Sequence, residues 1–147
     1  MSLNVSVLKE SFELACPSDR EKQLFAEQFY QRLFVTYPQV RPLFAHTDMQ
    51  EQTKKLMASL VLVLTTLTKP EVLLPTLQRL GQRHTDAGVQ VKHYPMVAEA
   101  LLATFAARLG DRWTDELQEA WTGAYAIIAT LMREEPMPAV PQGRESA

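Results

Sequence analysis

Residues 72–84, VLLPTLQRLGQRH, carry the pattern that decides how this chain folds. Leu73, Leu77 and Leu80 recur at spacings of four and three, which is the spacing of one face of an α-helix. His84 follows Leu80 by four residues, so it continues the same apolar face. The segment predicts a helix that directs one imidazole toward the interior of the protein.

Helical spacing of apolar residues extends over most of the chain, which contains only five glycines. Ser18 and Thr47 each begin a capping-box pattern, and a turn through Pro42 separates the two helices that they open. Thr114 is placed as an N-cap, and Pro75 suits a first helical turn, where no backbone N–H is needed. No segment predicts a strand, so we expect an all-α fold class. The predicted helices run over roughly 4–15, 18–37, 47–68, 75–84, 94–109 and 114–131.

The length of 147 residues corresponds to one domain. A hydrophobic content of 46% is enough for that domain to bury a core. We expect residues 1–135 to form the domain and the proline-rich residues 136–147 to form a disordered tail.

Composition limits where the protein works and what it binds. A net charge of −2 lacks the basic excess that nucleic-acid binding requires. The lone Cys16 cannot form an intrachain disulfide, which favours a reducing compartment. The uncharged stretch 56–68 is shorter than the roughly 20 residues that cross a bilayer, and the N-terminus lacks a secretion-signal pattern. We therefore predict a cytoplasmic protein with no membrane span and no nucleic-acid partner.

An inward His84 allows two interpretations. It is either a buried neutral histidine bonded to a backbone carbonyl or a metal ligand, since imidazole binds iron and zinc. A zinc site would need further ligands, and His46, His93 and Cys16 have no regular spacing to His84. A haem iron needs only one protein ligand.

Two further polar residues lie on helix faces that are otherwise apolar. Tyr30 follows Phe29 on one face, and Gln52 precedes Leu56 by four residues on another. Each has an ordinary explanation, as a packed tyrosine with its hydroxyl at the rim of the core and as a solvated glutamine in a first turn. Together with an inward His84, they would form a gas-binding arrangement of two hydrogen-bond donors opposite one iron ligand.

Six short segments follow one another in an order that identifies a family. They are Phe29-Tyr30 with Leu33-Phe34, Tyr37-Pro38 with Pro42-Leu43-Phe44, Gln52-Thr53-Lys54-Lys55-Leu56, Gly81-Gln82-Arg83-His84, His93-Tyr94-Pro95-Met96-Val97, and Ala120-Trp121 with Tyr125. With these segments the chain resembles the globins, in particular the bacterial flavohaemoglobins and single-domain haemoglobins. The resemblance runs from about residue 5 to about residue 134.

The resemblance implies a globin fold, in which helices pack around a haem pocket, with haem b (iron protoporphyrin IX) as the cofactor. By that similarity His84 is the proximal iron ligand, and Tyr30 and Gln52 are the distal residues that act on a bound gas. Phe44 would pack against the haem ring, although plain core packing would bury it equally well, and Lys55 would pair with a propionate. The full cofactor-binding set that the resemblance implies is Phe44, Lys55, Leu56, Leu80, Arg83, Val89, Tyr94 and Val97.

Tyr94 also matches a tyrosine that flavohaemoglobins place, with a glutamate, beside the proximal histidine, and it is counted with the catalytic residues. Pro136 falls where that glutamate is expected, and Glu134 and Glu135 lie one or two residues earlier. The resemblance therefore implies an incomplete relay and a weaker electron donation to the iron. Apart from the family, Tyr94 would only cap the helix that opens at Pro95.

The implied function is tight binding of O2, because a hydrogen bond to a charged acceptor contributes about 1.5 to 3 kcal/mol. Such a pocket suits a nitric oxide dioxygenase with an open, five-coordinate ferrous iron. That activity would need an external reductase, since the chain has no room for flavin and nicotinamide domains. The alternatives are a non-catalytic protein for sensing, storage or transport of O2, NO or CO, and a haem-free structural globin. Either a monomer or a homodimer is compatible with the sequence.

Overall fold

The computed structural model describes residues 4–133, and within this range it contains α-helices and short 3₁₀ helices but no strand. The predicted all-α fold class is confirmed. The tail expected at 136–147, together with Glu134 and Glu135, lies outside the described residues. No helix within 4–133 is long and apolar enough to cross a membrane. The α-helices are α1 (Val5–Ala15), α2 (Asp19–Thr36), α3 (Met49–Thr66), α4 (Pro70–Asp86), α5 (His93–Leu109) and α6 (Asp115–Arg133).

Several helix ends follow the predicted capping chemistry. The Ser18 hydroxyl accepts a hydrogen bond from the Glu21 backbone N–H at 3.1 Å and opens α2. The Thr114 hydroxyl accepts one from the Leu117 N–H at 3.3 Å at the start of α6. Gly110 ends α5 with a φ of 55°, a left-handed conformation that glycine adopts without a steric penalty.

Two predicted helix starts are wrong. Asp48, not Thr47, caps α3, because its carboxylate accepts from the N–H groups of Gln50 at 3.0 Å and Glu51 at 3.4 Å. α4 begins at Pro70, where a proline sacrifices no hydrogen bond, and Pro75 lies inside the helix. The buried Leu73 explains the earlier start, because α4 must extend N-terminal to Pro75 to bury that side chain. The turn expected through Pro42 is a 3₁₀ helix over Pro38–Phe44.

Aromatic rings at the centre of the core join α2, α5 and α6. Phe105 is fully buried, and the centroid of its ring lies 4.8 Å from that of Phe25 and 4.4 Å from that of Trp121. The Trp121 indole N–H donates to the buried hydroxyl of Ser11 at 2.8 Å, which ties α1 to α6. Cys16 is also fully buried, and burial raises the pKa of its thiol to about 11, so the thiol stays protonated at neutral pH.

Helices α4 and α6 approach each other most closely at a glycine. Gly81 is buried, and a Cβ atom added to it would lie 1.8 Å from the carbonyl oxygen of Met132. Only a residue without a side chain can occupy this crossing, which lies one turn before His84. The crossing therefore holds the C-terminal turns of α4 against α6 and sets the position from which His84 projects.

Candidate functional site

An apolar cavity lies between α3, α4, α5 and α6, with Phe29 of α2 also in its wall. Aliphatic and aromatic side chains make up most of the lining, whereas the polar groups in the wall are few and include two histidines. Such a combination is typical of a pocket for a large apolar ligand that is oriented by a small number of polar contacts. Six residues predicted from the sequence line it together: Leu56, Leu80, His84, Val89, Tyr94 and Val97.

The His84 imidazole is oriented by its own helix. Its Nδ1 lies 2.6 Å from the backbone carbonyl oxygen of Leu80, one turn earlier. A carbonyl oxygen only accepts, so Nδ1 carries the ring proton and donates it, which leaves Nε2 unprotonated with a free lone pair. This arrangement presents one basic nitrogen, with a fixed tautomer, to a metal.

His84 was expected to be buried, and in this respect the structure differs. The residue lines the cavity but is itself exposed, so it lies where the cavity meets solvent. The Leu73 and Leu77 side chains of the same face are buried, whereas Leu80 is half-buried. The apolar face of α4 therefore emerges from the core toward its C-terminal end.

A pair of tyrosines forms the cavity wall beside His84. The ring of Tyr94 is centred 6.4 Å from that of His84, and the Tyr125 hydroxyl donates to the Tyr94 backbone carbonyl at 2.7 Å. Burial raises the pKa of both phenols, although the Arg133 guanidinium lowers each in part, so both are neutral at physiological pH. Tyr94 lies inside the first turn of α5 and is not its cap.

The resemblance implies an incomplete relay on this side of the cavity, and this stays a prediction. Between residues 4 and 133, no hydrogen bond joins Tyr94 to His84. The glutamate of the relay was predicted near Glu134, Glu135 and Pro136. These residues lie outside the described part of the chain.

Tyr30 and Gln52 meet although 22 residues separate them in sequence. The Gln52 side-chain amide donates to the Tyr30 hydroxyl oxygen at 3.0 Å. Tyr30 is buried, and this burial raises the pKa of the phenol, although the bond from Gln52 opposes the shift. The phenol therefore keeps its proton, and within residues 4–133 that O–H donates to no protein acceptor.

The Tyr30 and Gln52 pair lies beside the cavity and is not part of its wall. The Tyr30 ring packs edge-on against Phe29, with centroids 4.8 Å apart, and Phe29 lines the cavity. Gln52 lies one turn before Leu56, which also lines it. The other predicted residues that do not line the cavity are Phe44, Lys55 and Arg83.

Those three residues have different surroundings. Phe44 is half-buried, and its ring contacts Tyr30 and Phe34 at centroid distances of 5.6 and 5.3 Å. It therefore belongs to the aromatic cluster behind the cavity. Lys55 and Arg83 are exposed on α3 and α4.

His93 was not predicted to belong to the site. It lines the same cavity as His84, and the residue is only 7% exposed. The sequence did not reveal that the two histidines share one cavity, because they lie on different helices and their spacing follows no helical period. The segment between α4 and α5 turns sharply, with the Val89 N–H bonded to the His84 carbonyl at 2.9 Å and the His93 N–H bonded to the Gln90 carbonyl at 2.9 Å.

No group of three or more His, Cys, Asp or Glu side chains able to hold a metal ion occurs among residues 4–133. What the cavity does present is one imidazole with a free nitrogen, in apolar surroundings.

Comparison of the sequence with known proteins identifies a family. A family model described as Globin matches residues 27–132. A flavohemoprotein of Bordetella parapertussis is 33% identical over 127 residues, which cover 84% of this chain and 32% of that protein. A flavohemoprotein of Rhizobium meliloti is 33% identical over 108 residues, covering 72% of this chain and 27% of the relative. The chain thus spans about a third of the length of these curated relatives.

Solved structures show the same architecture. An engineered carbene transferase from Rhodothermus marinus aligns with a TM-score of 0.74 at 27% identity, covering 90% of this chain and 92% of that one. A Pseudomonas aeruginosa protein described as structurally highly homologous to human hemoglobin aligns with a TM-score of 0.74 at 22% identity, covering 88% of this chain and 95% of its own. The second likeness bears on the fold alone.

Proposed function

This chain belongs to the globin family, and from that premise we propose that it binds haem b in the apolar cavity and holds O2 there with the help of Tyr30 and Gln52. The observation that carries the proposal is the His84 imidazole. Its Nδ1 is engaged by the Leu80 carbonyl, so its Nε2 is the nitrogen left to bind iron.

The residues around the cavity fit an iron porphyrin by their chemistry. Aliphatic side chains such as Leu56, Leu80 and Val97 suit the apolar faces of the ring. His84 supplies the one protein ligand that a haem iron requires. When bound, haem would supply the iron centre at which a gas is taken up and at which O2 reacts with nitric oxide.

Tyr30 and Gln52 would act on the gas ligand as a coupled pair. Gln52 donates to the Tyr30 oxygen, which leaves the Tyr30 proton for a second bond. A gas ligand that carries negative charge would accept a hydrogen bond from that O–H more strongly than a neutral one, and such a bond contributes about 1.5 to 3 kcal/mol. We therefore propose tight retention of O2, with Tyr30 as the principal donor and Gln52 as the group that orients it.

Replacement of Tyr30 by phenylalanine tests this role. The variant keeps the ring contacts with Phe29 and Phe44 but lacks the O–H, so O2 should leave about 10-fold faster or more, since about 1.4 kcal/mol corresponds to a factor of ten. Stopped-flow displacement of O2 by CO measures the rate. Tyr37→Phe removes a phenol that bonds to Glu99 instead, and it should leave the rate unchanged. Equal release rates in wild type and Tyr30→Phe would remove Tyr30 from the gas site.

We further propose that the protein acts as a nitric oxide dioxygenase whose electrons come from a reductase outside residues 4–133. The curated relatives are flavohemoproteins, which favours this activity, and tight O2 retention suits chemistry on O2 better than delivery of it. The second candidate, a non-catalytic protein that senses, stores or transports O2, NO or CO, uses the same cavity and the same donors. A cytoplasmic location, supported by the lone and fully buried Cys16, and a monomeric or homodimeric state stay predictions.

Nitric oxide separates the two candidates. Oxygenated protein mixed with one equivalent of nitric oxide should yield one equivalent of nitrate, and NADH with a general flavin reductase should then sustain many turnovers. Nitrate by ion chromatography and nitric oxide by electrode are the measurements. A protein that binds O2 tightly but shows no sustained turnover with any electron donor would favour the non-catalytic candidate.

A further inference from the structure

The second histidine of the cavity, His93, is held in the opposite tautomer to His84. Its Nδ1 accepts a hydrogen bond from the Gln90 backbone N–H at 2.9 Å. A nitrogen that accepts carries no proton, so in the neutral ring the proton lies on Nε2. His93 therefore presents an N–H donor, whereas His84 presents a basic nitrogen.

The Nε2–H of His93 has no acceptor among residues 4–133. The residue is 93% buried, as its relative exposure of 7% shows, and it lines the apolar cavity. Leaving such a donor unsatisfied costs about 1 to 3 kcal/mol, and buried polar groups in native proteins almost always have a partner. The partner of this donor is therefore to be sought in what the cavity binds.

His93 is poorly suited to bind iron itself. Coordination through Nε2 would require the proton to move to Nδ1, where it would face the Gln90 N–H instead of an acceptor. His84 has no such conflict, because its Nδ1 proton already points at a carbonyl oxygen. His84 is therefore suited to bind the iron, and His93 is suited to donate a hydrogen bond.

We propose that His93 anchors the cofactor by donating its Nε2–H to a carboxylate on the edge of the bound porphyrin. This inference rests on the proposed function, haem binding in the same cavity. The two propionates are the strong hydrogen-bond acceptors of protoporphyrin IX, whose remaining surface is apolar, and an N–H to carboxylate bond is charge-assisted.

The position of His93 favours a carboxylate over the gas ligand as its acceptor. His93 adjoins Tyr94, whose ring lies beside that of His84, so it belongs to the side of the cavity that carries the iron ligand. Tyr30 and Gln52, the proposed donors to the gas, adjoin Phe29 and Leu56 in another part of the wall. Lys55 and Arg83, the cationic residues that the sequence placed in the cofactor set, are exposed and do not line the cavity, whereas His93 is buried in its wall.

Esterified haem provides the test. Apoprotein of wild type and of His93→Phe is loaded with hemin or with hemin dimethyl ester, and release to excess apomyoglobin is followed by absorbance. Wild type should release the ester about 10-fold faster or more than hemin, as expected for the loss of a bond to a charged acceptor. His93→Phe should release hemin faster by a similar factor, and esterification should add little further.

Controls keep the inference separate from the proposed function. His46→Phe alters an exposed histidine outside the cavity and should retain the full effect of esterification. An effect of esterification in His93→Phe as large as in wild type would overturn the inference while leaving haem binding intact. A wild-type protein that takes up no hemin would overturn the proposed function itself, and the inference with it.

A spectroscopic measurement on wild type covers the case in which His93→Phe does not fold. With diamagnetic zinc protoporphyrin IX, the ¹H–¹⁵N signal of the His93 Nε2–H should move downfield relative to the complex with the zinc dimethyl ester. Identical signals in the two complexes would show that the donor does not meet a propionate.

Discussion

Replacement of His84 by alanine is expected to abolish the normal haem complex. The variant lacks the imidazole whose Nε2 is free to bind iron, and it retains only apolar contacts in the cavity. Loss of a residue that only orients a metal ligand lowers the metal affinity about 10- to 100-fold. Because His84 is the proposed ligand itself, we expect hemin release to accelerate by on the order of 100-fold or more. His93 should not take over as ligand, because Gln90 holds it in the wrong tautomer.

Absorption spectra of the ferrous protein measure this outcome. His84→Ala should lack the five-coordinate imidazole spectrum that we expect of wild type, and added imidazole should restore it, since alanine leaves space for the free ligand. His46→Ala, a histidine outside the cavity, should keep the wild-type spectrum. An unchanged spectrum and release rate in His84→Ala would mean that another residue binds the iron.

Gly81→Ala is expected to destabilise the helix core strongly, although it adds only one methyl group. The new Cβ would lie 1.8 Å from the carbonyl oxygen of Met132 and 2.6 Å from its carbonyl carbon, and backbone atoms cannot move aside as a flexible side chain can. Overpacking of a core costs about 1 to 3 kcal/mol and occasionally more. We expect the free energy of unfolding to fall by about 3 kcal/mol or more, as helices α4 and α6 are pushed apart.

Gly123→Ala in α6 is the matched control. A Cβ at Gly123 meets no atom within 4 Å, so alanine there should raise the free energy of unfolding by about 0.5 to 1 kcal/mol through helix propensity. Urea denaturation followed by circular dichroism compares the two variants. Because α4 also carries His84, Gly81→Ala should release hemin faster than Gly123→Ala. Equal stability of the two variants would contradict the close crossing.

The local sequence was sufficient to predict the helices and to identify the metal-ligand candidate. A helix face repeats every three to four residues, and caps act over two or three residues, so both are readable along the chain. The Ser18 cap, the Gly110 stop and the Thr114 cap follow from such short-range chemistry. The same periodicity placed His84 on the leucine face of its helix.

The predicted helix starts were wrong where two nearby residues of the sequence offered similar local chemistry. Thr47 and Asp48 can both cap a helix, and Pro70 and Pro75 can both occupy a first turn. The choice between them depends on what the following residues bury, and Leu73 becomes part of the core only if α4 starts before it. A pattern of residue types does not contain that information.

Packing between helices was needed for the long-range contacts that build the site. The bond from Gln52 to Tyr30, the pairing of His93 with His84 in one wall, and the Gly81 crossing each depend on the angle and separation of two helices. Those quantities arise from how all the side chains interlock at once, and no spacing along one segment encodes them. The two ring orientations rest on short-range bonds to the Leu80 carbonyl and the Gln90 N–H, but the relative placement of α4 and α5 decides that both rings line one cavity.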